Sequence, residues 1–357
     1  MISLLLAVGA GIAAGAGVYK GGKAISNNSK AKQIIEDAQT IYNCAIQAVE
    51  DKRTETSSQL ESLGTTKLNS WANDFGTFLP LFDSFKKVEF EKEVELNTEL
   101  KNRIDPEVLK NIQVASMKAT EILGAGVGAL GAGALAGIAS YGGAMMFASA
   151  STGTAIASLS GAAATNATLA WFGGGSLASG GLGIAGGTAV LGGVVVAPII
   201  AVAGLIMEAK SEENLARANK TYSEAQNAVE QIQTTIAALN AIYDVARMDE
   251  EFICSFSIPY QEMLKELKVM RDRTYARQSR SLRNLISRLF GMKIRVDYRK
   301  IQETDKQLLH TSWLMTQILY AALTTPIMDD NGNVVDGAKE KMEALQGESQ
   351  KFLGAGK

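Results

Sequence analysis

Apolar residues recur every three or four positions in two long stretches that flank an uncharged central block. In the first stretch the spacing runs through Ala38, Ile41, Ala45 and Val49. Because this is the period of one face of an α-helix, it predicts an amphipathic helix from 28 to about 63.

A row of aromatic residues continues the same spacing in steps of four and three: Trp71, Phe75, Phe78, Phe82 and Phe85. We expect this row to be a core or a helix contact, and an aromatic belt at a membrane interface is the alternative. Pro80 lies inside the pattern and predicts a kink or a break. Downstream, Asp105, Pro106 and Glu107 have the pattern of a helix cap and first turn.

The second stretch has the strongest coiled-coil pattern in the chain, through Leu215, Tyr222, Ala225, Val229, Ile232, Ile236, Leu239 and Tyr243. We expect this helix to pair with the 28 to 63 helix of the same chain. Residues 215–248 are also where a protein partner would bind.

The central block, residues 122–207, contains no Asp, Glu, Lys, Arg or His, and half of it is Gly or Ala. Its length indicates a membrane segment, with room for two to four spans. Its glycines are spaced for close helix contact in three pairs: Gly124 and Gly128, Gly133 and Gly137, Gly183 and Gly187. Two GxGxxG matches also occur, but neither follows a convincing strand, so a dinucleotide site is not expected.

Residues 1–19 form another uncharged run, with Gly11 and Gly15 spaced for helix contact and lysines only after it. This order favours a short membrane segment whose charged exit is cytoplasmic. A signal peptide and a buried packing helix are the alternatives.

Basic residues far outnumber acidic ones between 265 and 300. We expect this segment to bind anionic lipid headgroups through Arg273, Arg277, Arg280, Arg283, Arg288 and Lys293. An acidic partner segment such as 89–107 is an equally good alternative. Nucleic acid is not expected as a partner, because aromatic residues within the segment are few.

Five prolines in 357 residues and long runs of helix-forming residues predict an all-α protein. We divide it into an apolar segment (1–24), amphipathic helices (25–121), Gly/Ala-rich membrane helices (122–207), coiled-coil and basic helices (208–325), and a hairpin turn with a flexible tail (326–357). The fold expected is a long amphipathic helix bundle or coiled coil with a central apolar helical hairpin.

No P-loop, HExxH, GxSxG or metal-spaced Cys/His cluster is present, so we expect no enzyme, no cofactor and no metal. His310 is expected to be a satisfied structural histidine. Cys44 and Cys254 are expected to be buried thiols in a reducing compartment. Asp329, Asn331 and Asn333 lie in a predicted turn rather than in a calcium loop.

Residues 155–193, AIASLSGAAATNATLAWFGGGSLASGGLGIAGGTAVLGG, resemble a segment of uncharacterised bacterial glycine-rich helical membrane proteins. An apolar insert between long amphipathic helices resembles α-helical pore-forming proteins and apolipoprotein-L-like proteins. The resemblance to pore-forming proteins implies that neutral helices are buried first and released into a bilayer later.

The function predicted from the sequence is therefore a membrane-inserting, oligomeric, pore-forming protein. The lipid bilayer and a homo-oligomer are its expected partners, and its charged helices are expected to be cytoplasmic. A constitutive membrane-anchored scaffold that recruits partners through its coiled coil is the alternative.

Overall fold

The computed structural model describes residues 22–90, 104–126, 132–141, 211–279, 295–328 and 334–353, and these residues are mostly helical. This confirms the all-α class. The helices are α1 (Gly22–Asn69), which continues into a π-helical turn (Ser70–Asp74), α2 (Phe75–Asp83), α3 (Pro106–Ala125), α4 (Ala132–Tyr141), α5 (Ser211–Ser279), α6 (Glu303–Thr324) and α7 (Ala338–Leu353). Two short strands, β1 (Phe85–Lys86) and β2 (Val296–Asp297), pair in parallel, and a 3-10 turn (Tyr298–Lys300) follows β2.

The chain forms two compact units. The first, called the paired-helix unit here, has residues 22–55 and 211–240 as its described part. The second, called the core unit, contains the described residues between 56 and 192 and between 241 and 357.

In the paired-helix unit, α1 and α5 run parallel. The Asn214 Nδ2 atom donates to Asn28 Oδ1 at 3.2 Å. Further along both helices, Ala45 and Val49 of α1 form an apolar cluster with Ile232 and Leu239 of α5. The two helices therefore pair within one chain, as expected.

The buried face of α5 differs by one residue from the predicted coiled-coil face. Ala225, Ile232 and Leu239 are buried as predicted, and the second buried row is Ala228, Thr235 and Ile242. The predicted row of Leu215, Tyr222, Val229, Ile236 and Tyr243 is only partly buried. Small residues in the contact let the two helices approach closely, so the larger neighbours lie at its edge.

The core unit buries the aromatic row predicted from the sequence: Trp71, Phe75, Phe78, Phe82 and Phe85. Trp71 packs edge-on against Phe75, with ring centroids 4.9 Å apart. Phe82 stacks on Trp313 of α6 at 5.7 Å. Of the two alternatives, the helix core is the one observed.

Pro80 does not break the helix. It lies inside α2, which continues to Asp83. Proline cannot donate the backbone hydrogen bond of its position, which costs stability. Burial of Phe78, Leu81 and Phe82 on the same helix offsets that loss.

The C-terminal part of the core unit is also ordered by packing. Met328 and Val334 form an antiparallel bridge around the predicted turn, and the Val335 N–H donates to the Ile327 carbonyl at 2.9 Å. The predicted turn residues 329–333 lie outside the described residues. The segment expected to be a flexible tail contains α7, which buries Met342 and Leu345 in the core.

Candidate functional site

A groove of about 910 Å³ lies in the core unit between α2 and α3. Its lining is largely apolar, with polar groups from five of the lining residues. The lining residues are Gly76, Leu79, Pro80, Phe82, Asp83, Phe85, Pro106, Leu109, Lys110, Gln113, Ser116, Met117 and Thr120.

The period of α3 explains why one of its faces is open. Asp105 caps the helix, because its Oδ1 atom accepts from the Glu107 N–H at 2.9 Å, as the sequence predicted. One face then buries Ile112, Ala115 and Ala119 against the core. The neighbouring stripe of lining residues follows the same helical period and faces the groove, and Ser116 lies where the two stripes meet.

Gly76 keeps the floor of the groove low. It lies in α2, and a Cβ atom built there would be 3.6 Å from Ser116 Oγ, which is an ordinary contact. Alanine therefore fits at this position, whereas a longer side chain would extend into the groove. Met117, on the facing wall, has 66% of its surface exposed.

Charge is sparse in the groove. Asp83 accepts two hydrogen bonds from Arg295 Nη2, at 2.7 and 3.0 Å. This ion pair lies beside the β1–β2 pairing, where the Val296 N–H donates to the Ser84 carbonyl at 2.8 Å. Lys110 contributes an exposed amine to the rim. With its single carboxylate already paired, the lining is better suited to holding an apolar body than to moving protons.

A buried ion pair fixes α4 in the same unit. The Lys67 Nζ atom lies 2.8 Å from Asp249 Oδ2 and donates to the Ala139 carbonyl at 3.1 Å. Both charged side chains are essentially inaccessible to solvent. Burial raises the pKa of Asp249, and the neighbouring Lys67 opposes that rise.

Gly64 permits a close approach of α1 to α4. A Cβ atom at Gly64 would lie 2.1 Å from the Leu135 carbonyl oxygen, a distance that no side chain can occupy. At the other end of α4, the Ser140 carbonyl accepts from the Ile327 N–H at 2.6 Å. The part of the neutral block that forms α4 is therefore packed inside the core unit.

A second buried carboxylate lies at the π-helical turn. Asp74 accepts hydrogen bonds from Ser70 and Gln261, each at 2.8 Å, and from Ser257. Nearby, the hydroxyl oxygens of Tyr260 and Thr316 are 2.7 Å apart. Burial raises the pKa of Tyr260 well above its ordinary value, so this phenol stays neutral. These groups join the π-helical turn to α5, and α5 to α6, through polar contacts inside an apolar core.

His310 and the cysteines differ from their predicted environments. His310 stacks on Phe90 with ring centroids 4.5 Å apart, and its Nε2 atom has no hydrogen-bond partner among the described residues. Burial lowers the pKa of His310. Cys44 and Cys254 are free and exposed rather than buried. Burial of part of its surface, and then the charge of Glu250, raise the pKa of Cys254.

The glycines predicted for helix packing are mostly outside the described residues; this applies to Gly11, Gly15, Gly128, Gly183 and Gly187. Gly133 and Gly137 lie in α4, and Gly137 is buried. Gly124 is exposed near the end of α3, and a Cβ atom there would meet nothing within 4 Å. Packing through these pairs stays a prediction.

The basic residues predicted to bind lipid headgroups are also only partly described. The Arg273 Nη2 atom donates to Asp305 Oδ1 at 2.7 Å, so this side chain is held by α6. Arg277 is exposed in the last turn of α5. The remaining four, Arg280, Arg283, Arg288 and Lys293, lie outside the described residues.

The predicted pore-forming function, transmembrane helices and membrane localisation are contradicted. Across the described ranges, no helix has both the length and the apolar character needed to cross a bilayer. Helix α4 illustrates the reason, because its 10 residues rise about 15 Å, half the thickness of a hydrocarbon core. The membrane-anchored scaffold fails on the same observation.

Sequence reasoning missed the groove. The sequence features that could have predicted the groove are weak. Met117 is one apolar residue on a polar helix face, and Gly76 is one glycine among many. The converging walls are formed by helices that only the tertiary structure brings together.

Neither a family model, nor a curated protein, nor a solved structure matches the chain. Within the residues that the structure describes, no three His, Cys, Asp or Glu side chains are grouped as metal ligands would be.

Proposed function

We propose that this protein is a binding protein that takes an apolar, helix-forming segment of a partner protein into the groove between α2 and α3. The observation that carries the proposal is the groove itself, with its largely apolar lining and the exposed Met117 on one wall. Binding rather than catalysis is the role that its lining favours.

The dimensions of the groove support a helical ligand. The α3 stripe that lines it runs from Pro106 to Thr120, which is about 21 Å or four helical turns. An amphipathic helix uses such a groove by placing apolar residues at i, i+3 or i+4, and i+7 along the floor. Lys110 on the rim would face a carboxylate of that helix.

A larger side chain at Gly76 would fill the groove without changing the residues of α3 on the facing wall. A fluorescein-labelled amphipathic peptide of leucine, alanine and glutamate serves as the probe, and fluorescence anisotropy measures its binding. We expect Gly76→Leu to weaken binding by at least about tenfold, which corresponds to about 1.4 kcal/mol. Gly76→Ala is the control and should bind like the parent, because its Cβ has room beside Ser116.

A charge on the wall gives an independent test. Met117→Glu should also weaken binding of the peptide, because it places a carboxylate against an apolar ligand. Ile258→Glu is the matched control, since Ile258 of α5 is 69% exposed and does not line the groove. Equal binding by the parent, Gly76→Leu and Met117→Glu would exclude the groove as the binding site.

A further inference from the structure

Two neighbouring rows of residues repeat every seven positions on α5 in the paired-helix unit. The first row is apolar and partly buried: Leu215, Tyr222, Val229 and Ile236. The second row consists of exposed amides: Asn219, Gln226, Gln233 and Asn240. Residues four apart lie on the same side of a helix, so the two rows form one face beside the contact with α1.

This face carries no charge from Leu215 to Asn240. Most charged residues of the same part of α5 lie on other faces, where Arg217 pairs with Glu213 and Lys220 lies near Glu224. The exposed Glu230 borders the amide row, one turn from Gln226 and from Gln233. From Asn219 to Asn240 the uncharged face extends about 32 Å. A partner helix that uses charge for recognition would find only this carboxylate at the border of the face.

The amide row of the face has the same pattern in both directions. The amide row reads Asn, Gln, Gln, Asn from either end. A two-fold axis beside Val229 would place Gln226 opposite Gln233 of the partner subunit, and Tyr222 opposite Ile236 of the partner subunit. An amide both donates and accepts hydrogen bonds, so identical amides can satisfy one another across such an axis.

We propose that this face of α5 binds the same face of a second copy of the chain, with the two α5 helices antiparallel. The apolar row, which α1 covers only in part, would be covered by the second copy. A contact of this length between two helices is at the low end of specific interfaces, so we expect a homodimer with a dissociation constant in the micromolar range. This inference is independent of the groove.

Sedimentation velocity of the full chain across micromolar concentrations tests the dimer. Val229→Glu should abolish it, because two carboxylates would face each other at the axis. Thr234→Glu is the control, because Thr234 is exposed on another face of α5. Circular dichroism at equal concentration reports whether each variant keeps its helices.

A charge exchange at the exposed amides tests the direction without touching the apolar row. With Gln226→Lys and Gln233→Glu in one chain, antiparallel helices bring opposite charges together and the dimer should tighten severalfold. With Gln226→Glu and Gln233→Glu, the dimer should weaken. A monomer at every concentration, or a dimer that Val229→Glu leaves intact, would overturn the proposal, and weakening by both double variants would reject the antiparallel direction.

Discussion

Helix α5 has the same buried period in both units but different side chains at the buried positions. In the paired-helix unit these positions include Ala218, Ala225 and Ala228. In the core unit most of them are occupied by larger residues: Ile253, Phe256, Tyr260, Met263, Leu267 and Met270. The helical spacing of the apolar residues therefore decides which face of α5 is buried. The size of their side chains decides how many other helices pack on that face. Small residues need one close helix, whereas large ones need several.

Each unit also has polar contacts between α1 and α5. In the paired-helix unit they include the neutral pair of Asn28 and Asn214. In the core unit Glu250 accepts hydrogen bonds from three side chains of α1, and Lys67 forms a buried ion pair with Asp249. Buried polar pairs can fix the register of paired helices, and an ionic pair carries the larger penalty when one member is lost.

The largest expected effect comes from breaking the ion pair. Asp249→Leu should lower the free energy of unfolding by about 3–5 kcal/mol, because Lys67 would remain buried without its counter-charge. Chemical denaturation followed by circular dichroism measures the change. Glu262→Gln is the control, because its pair with Lys265 is exposed and should contribute at most about 1 kcal/mol.

Removing both charges sharpens that test. The double variant Lys67→Met with Asp249→Leu should recover most of the loss, since neither charge is then buried. The pKa of Asp249 is raised in the folded protein, so the folded chain keeps this proton to a higher pH than the unfolded chain does. Asp249 therefore opposes folding increasingly as the pH rises above the ordinary value of 3.8, and the double variant should lack this dependence. A double variant as unstable as Asp249→Leu would contradict the account.

The next largest effect is expected in the paired-helix unit, where small residues form the contact between α1 and α5. Ala225→Leu should destabilise the paired-helix unit by about 1–3 kcal/mol, because the longer side chain does not fit the close contact. Amide hydrogen exchange along residues 211–240 measures the loss. Ala237→Leu, at an exposed position of the same helix, should change protection little.

A smaller effect is expected at the cap of α3. Asp105→Ala removes the acceptor for the Glu107 N–H and should cost about 1 kcal/mol. The change belongs to the core unit, so hydrogen exchange should increase in α3 and stay constant in residues 211–240. Equal increases in both regions would contradict the separation of the two units.

The smallest effect compares the two cysteines, one in each unit. The charge of Glu250 contributes to the raised pKa of Cys254, so Glu250→Gln should lower that pKa and increase the thiolate fraction at neutral pH. Alkylation of Cys254 by iodoacetamide should then become faster, by less than about tenfold, the equivalent of one pKa unit. Alkylation of Cys44, in the paired-helix unit, is the internal control and should not change.

Local patterns predicted the helices better than they predicted the contacts. The aromatic row from Trp71 to Phe85 and the cap at Asp105 follow from residue spacing and from side-chain chemistry within a few residues, and both are confirmed. The buried row of α5 was misplaced by one residue because Ala228 and Thr235 carry little hydrophobic signal. The prediction chose Val229 and Ile236 because they are larger and more apolar, whereas close packing of two helices places small residues in the contact.

The membrane prediction was wrong for a related reason. Hydropathy shows that a segment avoids water, but a protein core removes apolar residues from water as a bilayer does. Helix α4 is buried through Gly64 and Lys67, which lie far from it in sequence. The groove depends in the same way on Gly76 and Met117, which come together only in the folded core unit.

Methionine methyl NMR tests the central claim, that the groove of the core unit binds an apolar helix, most directly. The protein is labelled at its methionine methyl groups, and Met117 is assigned with Met117→Leu. On titration with the amphipathic peptide, the Met117 signal should shift and saturate, whereas the signals of the buried Met263 and Met270 should stay in place. A Met117 signal that does not move while the peptide binds would contradict the account.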